Sequence, residues 1–185
     1  MLGFNFYRPS PRYIAPRAAA RIVRRLPRSV QAVGVFVNEP PAAVDAMARA
    51  AGLHAVQLHG DESAKQSAQL ARRWRVIKAF RVRPRFRVAE LKQYEKVHAF
   101  LLDGFSRKAL GGTGKMFDWR VAKRAARFGR IFLAGGLRAE NIAEALQAAK
   151  PHAVDVCSGI EAAPGKKDHA ELLKFALIFH AANNR

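Results

Sequence analysis

Short apolar runs that recur along the chain constrain its fold more than any other feature. Each run is four to six residues long, rich in Val, Phe, Ile or Leu, and bounded by Gly, Pro, Asn or charged residues. Such runs are typical of strands that are buried on both faces of a parallel sheet. The pattern predicts seven strands, at 2–7, 32–37, 54–59, 76–80, 98–103, 130–135 and 153–157.

Helical patterns lie between these runs. The segment 41–51 opens at a pair of prolines and ends before Gly52, which are common start and stop signals. Asp118 and Asp168 are suitable N-cap residues for two later helices. The predicted helices are 41–51, 62–73, 118–128, 139–149 and 168–182.

Strict alternation of strand and helix predicts an α/β fold with a parallel sheet and right-handed crossovers. The alternation fits an open doubly wound sheet or a closed (β/α)8 barrel, which usually has roughly 200 residues or more. With 185 residues and seven strands, the chain is slightly short for the barrel. No linker or change of composition interrupts the pattern, so we expect a single domain over residues 1–185.

The charge balance is unusual, with 33 Lys and Arg against 14 Asp and Glu and a net charge of +19. A strongly basic protein attracts anionic ligands and binds nucleic acid non-specifically. The cations are scattered among helical segments, so we expect most of them on solvated outer faces. A basic nucleic-acid-binding protein stays an alternative, although the sequence has no motif that reads bases. A DNA-binding assay without a steep salt dependence would remove it.

The chain contains one cysteine, Cys157, which excludes an intramolecular disulfide and a cysteine-based zinc cluster. A lone cysteine suits a reducing cytoplasm and is most often a small buried residue. No run of 18 apolar residues is present, and the first residues do not resemble a signal peptide. These features predict a cytoplasmic protein that does not enter a membrane.

Polar residues and glycines follow several predicted strands directly. Ligands of α/β proteins bind at the carboxyl ends of the strands, so we expect these residues to form one site. They are His59, Asp103, Gly135, Gly136, Ser158 and Gly159.

Each of these residues has two interpretations. Asp103 is either a turn or capping residue or a general acid or base. Gly135 and Gly136 are either turn glycines or, with the loop at Ser158 and Gly159, a phosphate site, because barrels often bind phosphate after their last two strands.

Arg12 and His59 are equally open to two interpretations. Arg12 is either a solvent-exposed loop residue or a site residue whose guanidinium binds a carboxylate through two hydrogen bonds. His59 is either a packed or capping residue or a residue of the site. The loop at 104–117 contains GGTGK, whose spacing differs from that of a P-loop, and we interpret it as a flexible lid. No cluster of His, Cys, Asp and Glu has metal-ligand spacing.

Three motifs, VQLHGDE at 56–62, GGTGKMFDW at 111–119 and SGIEAAPGKKD at 158–168, occur here in a specific order and spacing. Together they resemble the phosphoribosylanthranilate isomerase family of tryptophan biosynthesis, and the resemblance extends from Gly3 to about Phe175. It implies a (β/α)8 barrel enzyme without cofactor or metal. The implied reaction is the Amadori rearrangement of N-(5′-phosphoribosyl)anthranilate to the open-chain deoxyribulose phosphate.

The resemblance also implies roles for individual residues. Asp103 would be the general acid that protonates the furanose ring oxygen, and Arg12 would bind the anthranilate carboxylate. His59 and Asp155 would line the site. The substrate phosphate would be held by Gly135, Gly136, Ser158 and Gly159. The implied partner is this phosphorylated small molecule, bound by a monomer or homodimer.

One part of the family pattern is missing. The family's general base is a cysteine in a KxCGIT motif at the end of the first strand, and the chain begins at what resembles the second strand. We therefore expect a barrel without its first βα unit and with impaired activity. A non-catalytic remnant that still binds phosphorylated ligands is the alternative.

Overall fold

A computed structural model describes residues 1–104 and 118–183, so the GGTGK segment of the predicted lid lies outside the described residues. The seven predicted strands are present. They are hydrogen-bonded in chain order, and the register of neighbouring strands is parallel. The α/β fold class is therefore confirmed. The strands are β1 (Leu2–Asn5), β2 (Ala32–Phe36), β3 (Ala55–Leu58), β4 (Arg75–Val82), β5 (Ala99–Gly104), β6 (Ile131–Ala134) and β7 (Ala153–Val154).

All five predicted helices are present, although most are shorter than expected. The helices are α1 (Pro16–Val23), α2 (Pro41–Ala51), α3 (Ala64–Ala71), α4 (Arg120–Ala125), α5 (Ile142–Ala149) and α6 (His169–Asn183). Helix α1 was not predicted from the sequence, because its eight residues are few for recognising a helical period and its N-cap residue, Ala15, offers no side-chain cap. A 3-10 helix at Val88–Tyr94 and a hairpin of β8 (Glu161–Ala163) and β9 (Lys166–Lys167) were not predicted either.

One of the two predicted N-cap residues, Asp168, makes the expected capping hydrogen bonds. Asp168 Oδ1 accepts hydrogen bonds from the backbone N–H groups of Ala170 and Glu171, at 2.9 and 3.1 Å. The prediction of Asp118 as an N-cap is wrong, because the N-cap position of α4 is Trp119, although Asp118 Oδ1 accepts a hydrogen bond from the Arg120 N–H at 3.0 Å. Gly52 follows α2 with φ of 68°, a left-handed conformation that glycine adopts without a Cβ penalty. The Asp168 side chain and the Gly52 backbone thus satisfy helix-end groups that would otherwise lack partners.

The chain divides into two compact units, Met1–Ala79 with Gln93–Ala99, and Phe80–Lys92 with Phe100–Arg185. In the first unit, alternate residues of β3 and β4, such as Val56, Leu58 and Val76, are fully buried with Val44 and Ala48 of α2. This packing fixes which face of each strand meets the helices. The expectation of a single domain over residues 1–185 stays a prediction.

The second unit has its own core. Leu101 and Leu102 of β5 and Leu133 of β6 are almost completely buried, as are Ile142 of α5 and Phe175 of α6. Because β5 and β6 are buried along their whole apolar length, their first polar residues appear only where the strands end.

The basic side chains lie where the sequence analysis placed them. Of the predicted surface cations, Arg21, Arg24, Arg72, Lys123 and Arg127 are all exposed. Among the described residues, none of the helices combines the length and apolar character that crossing a bilayer requires.

Candidate site at the strand ends

Asp103 lies at the end of β5, directly after four buried apolar residues. Asp103 is paired with Ala134 in the register of β5 and β6. Gly135, the residue that follows Ala134, therefore also lies beside Asp103. A methyl group on Gly135 would lie 2.8 Å from Asp103 Oδ1 and would overlap the Gly104 backbone nitrogen. The structure therefore brings the predicted acid and the first predicted phosphate-loop glycine into contact.

The loop after β6 has a backbone that glycine favours. Gly135 and Gly136 have φ of 91° and 67°, a region that side chains penalise. Asn141 braces the loop, because its Nδ2 donates to Gly136 O at 2.9 Å and its Oδ1 accepts from the Arg138 N–H at 3.0 Å. Asn141 is the residue before α5, but its side chain makes no capping hydrogen bond to that helix.

The loop after β7 packs against the loop after β6. Ser158–Ile160 forms a 3-10 turn. A methyl group on Gly159 would overlap the Leu137 carbonyl oxygen and lie 3.1 Å from Arg138 Cβ. Asp155 lies just beyond β7, and its N–H donates to Leu133 O at 2.8 Å. Asp103 and the four predicted phosphate-loop residues are thus held in one continuous group within the second unit.

The expectation for Cys157 is wrong, because the residue is exposed. Its strand, β7, ends at Val154, so Cys157 lies in the following loop rather than in the sheet. The Lys167 ammonium donates to the Cys157 carbonyl oxygen at 3.1 Å and to Glu161 Oε1 at 3.2 Å. Cys157 therefore lies beside the hairpin of β8 and β9 and is not part of a buried strand.

Arg12 and His59 belong to the first unit. The backbone N–H of Arg12 donates to Ser10 Oγ at 3.1 Å. Ser10 Oγ also accepts a hydrogen bond from Asn5 Nδ2 at 3.2 Å. A bridge between Asn5 and Tyr13 folds this loop back onto β1. Arg12 is consequently half-buried, contrary to the expectation for an ordinary surface arginine.

His59 extends the pairing of β2 and β3 by one residue. Its N–H donates to Phe36 O at 2.8 Å, and its Nδ1 lies 3.0 Å from Gln57 Nε2. The amide of Gln57, which is itself buried, holds one edge of the half-buried imidazole. His59 therefore has a defined orientation at the carboxyl end of β3.

A buried ion pair that was not predicted from the sequence joins Lys78 to Glu62, which closely follows His59 in the chain. Lys78 Nζ lies 2.9 Å from Glu62 Oε2, and the two side chains are 3% and 2% exposed. Burial by itself would raise the pKa of the Glu62 carboxyl, but the Lys78 ammonium and the Asn38 N–H outweigh it and lower that pKa below its usual range. The signal in the sequence was a lysine inside the apolar run at 76–80, because a buried charge requires a partner.

Metal ligation has no support in the described parts of the chain. Across residues 1–104 and 118–183, no group of three or more His, Cys, Asp or Glu is arranged to hold a metal ion.

The fold and the site define an α/β protein that carries polar and glycine residues at the carboxyl ends of parallel strands. A family model described as N-(5'phosphoribosyl)anthranilate (PRA) isomerase matches residues 1–177. The chain therefore belongs to the N-(5'-phosphoribosyl)anthranilate isomerase family. The predicted family, enzyme class and place in tryptophan biosynthesis are thereby confirmed.

Individual relatives agree. The N-(5'-phosphoribosyl)anthranilate isomerase of Pelobacter propionicus is 50% identical over 177 residues, which span 96% of this chain and 83% of that protein. The crystal structure of the Thermotoga maritima isomerase superposes with a TM-score of 0.88 at 41% identity, covering 97% of this chain and 87% of the other. An isomerase in complex with reduced 1-(o-carboxyphenylamino)-1-deoxyribulose 5-phosphate has a TM-score of 0.85 at 38% identity, covering 97% and 86%.

Proposed function

We propose that this chain binds N-(5′-phosphoribosyl)anthranilate and contributes the general acid to its isomerisation. The observation that carries the proposal is the contact between Asp103 and Gly135, because a phosphate held at the glycine loop would place the attached ribose beside a carboxyl group. Family membership supplies the identity of the substrate.

The proposed chemistry follows from the substrate. Asp103 donates a proton to the furanose ring oxygen as the C1′–O bond breaks, which leaves an iminium at C1′ and a hydroxyl group at C4′. A base then removes the C2′ proton, and the electron pair moves toward C1′ to form the enolamine, which tautomerises to the ketone. A positioned acid or base of this kind contributes about 10²–10⁴-fold to the rate.

The other residues would bind and orient the substrate. The backbone N–H groups around Gly135, Gly136, Ser158 and Gly159 would receive the phosphate, because glycines let the backbone approach an anion closely. Arg12 would form a charge-assisted hydrogen bond with the anthranilate carboxylate. His59 and Asp155 would line the site. A cytoplasmic location and a monomeric or homodimeric state belong to the same proposal.

Binding and turnover are best tested separately. Titration with the reduced product analogue reports recognition without any need for the base. We expect wild type and Asp103→Asn to bind with similar affinity, because the amide keeps the shape of the carboxyl group. No binding by the wild-type chain would contradict the proposed function.

Turnover is then measured for two proteins, the 185-residue chain and the same chain extended by a strand–helix unit whose strand ends in KxCGIT. Turnover only in the extended form would assign the base to that cysteine, and Asp103→Asn in that form should lower kcat by about 10²–10⁴-fold. Turnover by the short chain would mean that another residue serves as the base. An extended Asp103→Asn protein with unchanged kcat would contradict the role of Asp103.

A further inference from the structure

The buried Lys78 ammonium contacts the backbone on both sides of His59. Its Nζ donates to the Leu58 carbonyl oxygen at 3.3 Å and to the Gly60 carbonyl oxygen at 2.7 Å. It also lies 3.2 Å from the Ala79 carbonyl oxygen. The residues before and after His59 are therefore tied to the same point on β4.

The Glu62 carboxylate accepts hydrogen bonds from backbone N–H groups of the same loop and of the loop after β2. Its Oε1 accepts from the Asn38 N–H at 2.8 Å, and both of its oxygens accept from the Gly60 N–H, at 3.1 and 3.0 Å. Asn38 Oδ1 in turn accepts from the Asp61 N–H at 2.7 Å. Backbone carbonyl oxygens on both sides of His59 accept hydrogen bonds from Lys78, and the Gly60 N–H donates to Glu62. The ion pair therefore holds the loop between β3 and α3 through its backbone acceptors and through a backbone donor.

The loop has little freedom to rearrange around this pair. Asn38 holds φ of 57°, which is uncommon for a residue other than glycine. A methyl group on Gly60 would lie 2.8 Å from the Asn38 backbone nitrogen. The Tyr94 hydroxyl donates to the Glu62 carbonyl oxygen at 3.2 Å, so the far end of the loop is also held.

Stability alone does not explain such an arrangement. Removing two charges from water costs about as much as their attraction returns, and an apolar pair of similar volume is often as stable. The arrangement instead restricts the loop to one conformation, and His59 is the first residue of that loop.

We propose that Glu62 and Lys78 are positioning residues, which fix the backbone on both sides of His59 and thereby set the orientation of its imidazole for binding substrate. The inference rests on the proposed function, since His59 has a role only if the substrate binds there. Glu62 and Lys78 act through the backbone of residues 58–62 and do not themselves contact the substrate.

Lys78→Met tests the proposal, because methionine keeps most of the side-chain volume and removes every donated hydrogen bond. The first readout is the imidazole ¹⁵N and ¹H resonances of His59 in the protein without ligand. The second is the Kd for reduced 1-(o-carboxyphenylamino)-1-deoxyribulose 5-phosphate. We expect the His59 resonances to shift and broaden and the affinity to fall by about 10- to 100-fold, as for a misplaced site residue.

Leu70→Ala is the matched control. Leu70 is a buried residue of α3 in the same core, and its truncation also destabilises the first unit without removing a hydrogen bond from the loop. We expect the Leu70→Ala protein to keep the wild-type His59 resonances and a Kd within about twofold of wild type. Equal loss of affinity in both variants would assign the effect to general destabilisation and overturn the proposal.

A double-mutant cycle separates positioning from any other effect of Lys78. In a His59→Ala background, Lys78→Met should change the Kd by less than about twofold, because the residue that it positions is gone. An undiminished effect in that background overturns the proposal, as do unchanged His59 resonances in Lys78→Met. A wild-type chain that binds no analogue contradicts the proposed function instead, and the His59 resonances still decide whether the pair orients the imidazole.

Discussion

Replacing Gly135 by alanine should damage both the loop that we propose binds phosphate and the position of Asp103, the proposed general acid. The substitution has two costs. Alanine at φ of 91° is strained, which costs about 1–2 kcal/mol. Its methyl group would also overlap the Gly104 backbone and lie 2.8 Å from Asp103 Oδ1, and overpacking of this kind costs about 1–3 kcal/mol. The free energy of unfolding should therefore fall by about 2–5 kcal/mol in total.

Gly136→Ala is the matched control for stability. Gly136 has φ of 67°, but a methyl group there would meet no atom within 4 Å, so only the backbone strain applies. Urea unfolding of wild type and both variants should show Gly135→Ala as the less stable variant by about 1–3 kcal/mol. Equal destabilisation of the two variants would refute the close approach of Gly135 to β5.

Three other predictions concern single residues. Arg12→Gln should weaken binding of the reduced product analogue by about 1.5–3 kcal/mol in titration calorimetry. The affinity for an analogue without the carboxylate should stay the same, and equal losses for both ligands would exclude a carboxylate contact. Asp168→Ala should lower the free energy of unfolding, measured by thermal unfolding, by about 1 kcal/mol through loss of the α6 cap. Asp168→Asn should lower it by less, because asparagine also caps helices, and equal losses in the two variants would contradict the capping role. Because the folded pKa of Glu62 is below its ordinary value of 4.5, the carboxylate stabilises the protein above pH 4.5 and this contribution is lost as the pH falls through the folded pKa. The stability difference between wild type and Glu62→Gln in urea unfolding should therefore shrink on acidification, and a difference that stays constant down to about pH 3 would refute the stabilising role of the charge.

The strands and most helices were predictable because their signals are local. Runs such as 98–103 and 130–135 are apolar because both faces of β5 and β6 are buried, so each strand is visible in its own residues. Helix α1 was not predicted, because its eight residues are few for recognising a helical period and Ala15 before it gives no capping signal. The length of β7 was overestimated because an apolar pattern indicates burial, whereas a strand also requires a hydrogen-bonded neighbour.

The residues of the candidate site could be predicted from the sequence, but their contacts could not. Asp103, Gly135 and Gly159 could be selected from the sequence, because polar residues and glycines after buried strands are typical of a ligand site. Their contacts could not be predicted, because the distance from Gly135 to Asp103 depends on the register of β5 and β6. Cys157 shows the opposite error, since its residue type suggested burial and its place beyond β7 exposes it.

The sequence by itself determined the order of the seven sheet strands and of five helices, the residues at the strand ends and the family, because these depend on local patterning and on motif spacing. Only the tertiary structure decided that Lys78 is paired with Glu62, that this pair holds the backbone around His59, and that Gly135 leaves no room for a side chain. The physical reason is that these features are distances between residues far apart in the chain. Such distances are set by strand register and core packing, which no local pattern encodes.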